Sequence, residues 1–233
     1  MEESDEKLKT MCAQVVEDYI ACAVKIGMIN QDKVENAKAT LLKSAQGAYY
    51  DKEWLGSFGA GPEGVILGEN FREIIDKAKS ANDKVLNDNF PRCSFSFRKG
   101  LFHEFTHVLQ LANLEKENKD ESFSEYKKSF EFTRDNHKCF SCLQEIAASL
   151  AEEKLWLAYS GESVKPSYYA GIVALGLGFL GKVKMTDIEL VKATTFEPWI
   201  FEEMEKRYKE AEGKDFKQLL EHLDNVIIAK HNE

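Results

Sequence analysis

The spacing of apolar residues constrains the fold of this chain more than any other feature. Near the N-terminus, Leu8, Met11, Val15 and Tyr19 recur at steps of three and four residues, which is the period of an amphipathic α-helix. The same period predicts helices over most of the chain, at about 4–26, 31–47, 71–85, 98–116, 137–160, 166–181, 198–212 and 215–230. A further short helix should follow the capping-box pattern Thr186-Asp-Ile-Glu189. The expected fold class is therefore α+β and predominantly helical.

One region departs from this period, at residues 47–70, which read GAYYDKEWLGSFGAGPEGVILGEN. Aromatic and β-branched residues broken by glycine and proline are typical of short strands and turns. We predict strands at Ala48–Asp51 and Gly64–Glu69, joined by a glycine-rich loop, with CSFSF at 93–97 as a further candidate. The charged segment 117–136 is predicted to be a loop with short helical turns.

Charge and composition exclude several classes of protein. The chain has 31 Lys and Arg against 40 Asp and Glu, a net charge of −9, whereas a nucleic-acid binder needs a basic surface to neutralise phosphates. Its first residues, MEESDEKLKT, lack the basic and apolar regions of a signal peptide. Five cysteines without framework spacing indicate reduced thiols. We expect a cytoplasmic protein with no membrane segment, and export by a signal-independent system stays open.

The stretch LFHEFTHVLQ at 101–110 carries the clearest chemical signal. Residues four apart share one face of a helix, so His103 and His107 can direct their ring nitrogens at one metal ion. Glu104 lies beside that face, where it can reach a water in the open position of the metal. An H-E-x-x-H motif in helical context is typical of zinc metallopeptidases, and a chance pair of histidines is the alternative.

A catalytic zinc site usually takes three protein ligands. The predicted helix at 137–160 offers Glu145, which lies among small side chains that let two helices approach closely. Glu152, two turns further along, is the competing ligand, and the charged run around it is also typical of a solvated face. The isolated Cys139-x-x-Cys142 is a further zinc-binding candidate, although it lacks a second ligand pair.

The order His103-Glu104-x-x-His107 followed by Glu145-x-x-Ala148 resembles the gluzincin branch of zinc metallopeptidases. It is similar to compact bacterial and phage-type domains with H-E-x-x-H-V-x-Q and E-x-x-A elements. The resemblance covers about 47–160 of a single domain, which also has N-terminal helices at 1–46 and a helical region at 161–233. It implies a zincin-like fold with a small sheet ahead of the metal helix.

For the site, the resemblance implies one Zn²⁺ ion held by His103, His107 and Glu145. Glu104 is then the general base towards a metal-activated water, and the substrate is a peptide or protein. Many gluzincins have aspartate where Ser149 stands, and Ser149 can accept a hydrogen bond from a histidine ligand. Two rival readings are a zincin-like fold without peptidase activity and an acidic helical interaction module.

The resemblance also implies how substrate and oxyanion are held. Zincins commonly bind an extended substrate along a free strand edge, and we expect that edge at Gly64–Glu69. Tyr168 and Tyr169 lie downstream, where such enzymes often place an oxyanion stabiliser, but neither is assigned that role. The sequence does not indicate the oligomeric state.

Overall fold

A computed structural model describes residues 2–54, 58–61, 63–84, 86, 96–117, 131–134, 137–140, 142–162, 170–197, 199–216, 218–220 and 222–223. The chain packs as two compact units, one of Met1–Leu109 with Ala151–Tyr168 and the other of Gln110–Leu150 with Tyr169–Glu233. Two long helices, Phe97–Glu117 and Cys142–Ser160, each begin in one unit and end in the other. The expected single domain stays a prediction.

The first unit begins with helices α1 (Glu2–Lys25) and α2 (Val34–Gln46), which confirm the first two predicted helices. The apolar face of α1 is fully buried, as its period predicts. The next helix, α3 (Arg72–Lys77), ends well before the predicted end at 85. Beyond it, the Asp83 side chain accepts a hydrogen bond from the backbone N–H of Lys79, and side chains of this kind favour turns over helix.

Three short strands form the sheet of the first unit, namely β1 (Tyr49–Asp51), β2 (Phe58–Ala60) and β3 (Val65–Gly68). β3 lies between the others, parallel to β1 and antiparallel to β2. The strands predicted at 48–51 and 64–69 are confirmed. The predicted edge position of Gly64–Glu69 is wrong, because β3 lies at the centre of the sheet and β2 lies at an edge. The glycines around β2 interrupt the alternation of apolar and polar residues by which a strand is recognised in a sequence.

Helix α4 (Phe97–Glu117) carries the H-E-x-x-H motif and is held from its core-facing side by α1. The ring of Tyr19 meets Phe102 and Phe105 edge-on, with centroids 5.9 and 5.8 Å apart. The Tyr19 hydroxyl lies 3.0 Å from the Thr106 hydroxyl in a fully buried hydrogen bond. This contact fixes the helix immediately before His107. Of the strand candidate at 93–97, only its end is described, and Phe97 there begins the helix.

The second unit contains the antiparallel strands β4 (Glu131–Arg134) and β5 (His137–Phe140). The loop predicted over 117–136 is therefore wrong at its end. Helix α5 (Cys142–Ser160) begins five residues later than predicted, because residues 137–140 pair as a strand. Its apolar period continues into the preceding strand, so periodicity alone does not mark this boundary.

The second unit also contains the helices α6 (Ala170–Val183), α7 (Asp187–Thr195) and α8 (Ile200–Glu212), and residues 216, 218–220 and 222–223 are helical as well. Thr186 and Glu189 form the predicted capping box at the start of α7. Most of the predicted helix at 215–230 lies outside the described residues. The fold is α+β and mostly helical, as predicted. Among the described helices, none combines the length and apolarity needed to cross a bilayer.

Candidate metal centre

The two histidines of the motif face each other on adjacent turns of α4. The Nε2 atoms of His103 and His107 are 3.0 Å apart, and both residues are buried. Two nitrogens bound tetrahedrally at about 2.0–2.1 Å from a zinc ion would lie about 3.3–3.4 Å apart. A small rotation of either ring therefore brings both nitrogens to coordinating positions, and the predicted pairing of these residues is confirmed.

Glu145, in the first turn of α5, supplies a third donor. A carboxylate oxygen of Glu145 and one ring nitrogen from each histidine all lie within 4.8 Å of one another. Metal–ligand bonds of about 2.0–2.2 Å allow two donors to lie at most about 4.4 Å apart across the ion, so modest side-chain rotation closes the site. His103, His107 and Glu145 can thus bind a metal ion. Two imidazoles and a carboxylate suit several divalent transition metals.

Gln110 fixes the beginning of α5 next to Glu145. Its buried side-chain nitrogen donates to the backbone carbonyl of Gln144, at 3.2 Å, and to the hydroxyl of Thr194, at 3.1 Å. Gln110 is the glutamine of the H-V-x-Q element. Because a buried amide left without partners is costly, these bonds fix the carbonyl directly before Glu145.

Glu152 is buried, although the charged run around it is typical of a solvated helix face. Its side chain is 1% exposed, with Oε2 3.2 Å from Nδ1 of His103 and Oε1 3.0 Å from Nζ of Lys99. It does not belong to the metal-binding group found among the described residues. Glu152 therefore contacts the nitrogen of His103 that faces away from His107. The expectation that a charged run marks a solvated face is wrong here, because Lys99 supplies a buried countercharge.

Ser149 does not make the histidine hydrogen bond expected of it. The residue is 1% exposed, and its hydroxyl has no hydrogen-bond partner in the described part of the chain. Glu152 contacts His103 instead, since its longer side chain spans more of the distance between helices. Sequence reasoning missed Lys99, although its position four residues before His103 places it on the same face of α4.

Glu104 and Glu153 are two further carboxylates on the helices α4 and α5. Glu104 is only 9% exposed and precedes His107 by three residues on α4. For Glu153, burial raises the pKa of the carboxyl above its ordinary value, and the neighbouring charge of Glu152 raises it further. Both effects disfavour the ionised form of the Glu153 carboxyl.

Two candidates from the sequence lie beyond the structural description. Cys139 belongs to β5 and Cys142 begins α5, but their side chains lie outside the described residues. Tyr168 and Tyr169 also lie outside them. The alternative zinc site at the C-x-x-C pair and the oxyanion stabiliser therefore stay untested predictions.

Comparison of the chain with protein-family models, with curated proteins and with solved structures gives no match. The resemblance to gluzincins consequently rests on the motifs and on the geometry of the metal-binding group.

Proposed function

We propose that this chain is a zinc metallopeptidase of the gluzincin type. The metal would be one Zn²⁺ ion held by His103, His107 and Glu145, and Glu104 would act as general base. The observation that carries the proposal is the 3.0 Å distance between the Nε2 atoms of His103 and His107, which lie on adjacent turns of α4. Together with the Glu145 carboxylate, it provides the two-histidine, one-glutamate ligand set of a catalytic zinc site.

The proposed chemistry divides between the ion and the chain. When bound, zinc lowers the pKa of a coordinated water and polarises a carbonyl oxygen. Glu104 accepts the proton of the attacking water and delivers it to the leaving amine, which is general acid–base catalysis. The low exposure of Glu104 strengthens its electrostatic interactions, because little water screens the carboxylate.

The edge along which an extended peptide can bind lies at Ala60 of strand β2, because the outward carbonyl of Phe58 already accepts a hydrogen bond from Trp54 Nε1, at 3.1 Å. Gly61 N–H donates to the carbonyl of Gly64, and the alternation of an antiparallel ladder then directs the backbone groups of Ala60 away from β3. The ring of Phe58 packs against Gly100, one turn before His103, so that a side chain at Gly100 would overlap it. β2 therefore lies beside the metal helix and replaces Gly64–Glu69 as the proposed substrate edge.

The test measures zinc content and peptide hydrolysis in the same preparations. Wild type should contain about one zinc ion per chain and cleave a broad peptide library. Glu104→Gln should keep the metal and lose about 10²–10⁴-fold in rate, because the proton acceptor is gone. Glu153→Gln is the matched control, a neighbouring part-buried glutamate with no place in the metal-binding group, and should retain activity.

Each rival predicts a different result. A zincin-like protein without peptidase activity would bind zinc and cleave nothing in the library. An acidic interaction module would hold no stoichiometric zinc. Near-normal turnover by Glu104→Gln would remove the proposed base. A peptide rather than a nucleic-acid substrate suits the acidic chain, and a cytoplasmic location stays our expectation.

A further inference from the structure

The charged side chain of Lys99 is buried, and burying a charge costs free energy. Its side chain is 3% exposed, in the first turn of α4, and its ammonium group lies 3.0 Å from the carboxylate oxygen Oε1 of Glu152. Removing both charges from water costs several kcal/mol per ion, by general estimate. Apolar residues of similar volume would often be as stable, so fold stability alone does not account for this pair.

The Glu152 carboxylate divides its two oxygens between two partners on the same helix face. Oε1 meets Lys99 and Oε2 meets Nδ1 of His103, at 3.2 Å. Lys99 and His103 are four residues apart, so α4 directs both side chains at Glu152. Both contacts are close ion-pair approaches rather than aligned hydrogen bonds, since Nδ1 of His103 and the two Glu152 oxygens make no hydrogen bond in the described part of the chain.

The orientation of His103 determines which of its nitrogens can bind a metal. An ionised carboxylate only accepts hydrogen bonds, so contact with Glu152 favours a proton on Nδ1. Nε2 then presents its lone pair towards Nε2 of His107, 3.0 Å away. A carboxylate behind a histidine ligand fixes its tautomer and ring orientation in this way.

We propose that Lys99 is a positioning residue for the metal centre. Its ammonium group holds the Glu152 carboxylate in place, and Glu152 in turn holds His103 with Nδ1 protonated and Nε2 directed at the ion. The inference rests on the proposed function for the metal, and it adds to the motif a lysine that touches neither ion nor substrate.

The first test is zinc affinity, measured by competition with a chromophoric chelator. Loss of an outer partner of a ligand typically lowers metal affinity by about 10–100-fold. We expect that range for Glu152→Gln and about tenfold for Lys99→Met. In the Glu152→Gln background, Lys99→Met should have almost no further effect, because both substitutions break the same chain of contacts.

Arg98→Met is the matched control. Arg98 is also buried on α4, but its guanidinium pairs with Asp18 at 2.8 Å instead of with Glu152. This variant likewise removes a buried cation of the same helix, although its partner Asp18 is 35% exposed, and it should keep wild-type zinc affinity. Circular dichroism checks that each variant is folded. Lys99→Gln, which keeps an N–H donor without the charge, replaces Lys99→Met if the latter does not fold, and should show a smaller loss.

The second test needs no metal. Long-range ¹H–¹⁵N correlation spectra of the metal-free protein at alkaline pH should show the His103 proton on Nδ1 in wild type. Lys99→Met should give a mixture of tautomers, whereas Arg98→Met should not. A change in stability alone would leave the tautomer unchanged.

The outcomes separate this inference from the proposed function. Equal zinc affinities for wild type and Lys99→Met would overturn the role of Lys99 and leave the peptidase proposal intact. A wild-type spectrum with the His103 proton on Nε2 would also overturn the role of Lys99. A protein that binds zinc through this chain of contacts but cleaves no peptide would instead remove only the peptidase proposal.

Discussion

Replacing Gly176 by alanine should destabilise the protein, although alanine is the better helix former. Gly176 lies on α6, and a Cβ built there would overlap Cγ2 of Ile146 and lie 3.4 Å from its Cβ and Cγ1. Ile146 belongs to α5, and the χ1 angle of a β-branched side chain in a helix has one strongly preferred value. The methyl group therefore cannot rotate away, and the two helices must separate.

The magnitude follows from two opposing effects. Overpacking costs about 1–3 kcal/mol, whereas glycine to alanine within a helix gains up to about 1 kcal/mol. Gly178→Ala, two residues along the same helix, is the matched control, because a Cβ there meets nothing within 4 Å. The propensity gain cancels in the comparison, so Gly176→Ala should be less stable than Gly178→Ala by about 1–3 kcal/mol.

Urea and thermal unfolding of the two variants measure this difference. For a chain of this size, each kcal/mol corresponds to about 2–4 °C in Tm. Because Ile146 directly follows Glu145, Gly176→Ala should also lose zinc faster than Gly178→Ala during dialysis against a chelator. Equal unfolding midpoints for the two variants would refute the close approach of α6 to α5.

Three further outcomes are expected. Asp18→Asn removes the countercharge of the buried Arg98 guanidinium and should cost about 1 kcal/mol in urea unfolding, because the Asp18 side chain is 35% exposed and solvent screens the pair; a loss of about 3 kcal/mol would show that the pair behaves as a fully buried one. Glu153→Gln should raise Tm at neutral pH but not in acid. Burial, and then the charge of Glu152, raise the pKa of Glu153 in the folded protein, so ionisation of this carboxyl lowers the stability of the fold as pH rises. An equal change in Tm at both pH values would contradict this. Glu145→Ala should abolish zinc retention, and full retention would place the third ligand elsewhere.

Glu145 illustrates how far the motif could be read without a structure. Its seven-residue separation from Glu152 places both carboxylates on nearly the same face of a helix, so periodicity could not assign their roles. The packing of α4 and α5 separates them, with Glu145 in the metal-binding group and Glu152 behind His103. The choice of Glu145 over Glu152 as the third zinc ligand stays a prediction, and the reason given for discounting Glu152, a solvated side chain, is wrong.

The sequence by itself determined what depends on neighbours along the chain. The helical period of α1, the shared face of His103 and His107 and the capping box at Thr186 all arise from contacts within four residues. The tertiary structure decided which strand lies at the edge of the sheet and which charge Glu152 meets. These depend on residues distant in sequence, as Lys99 is from Glu152, and no local pattern specifies such a contact because its energy appears only when the helices pack together.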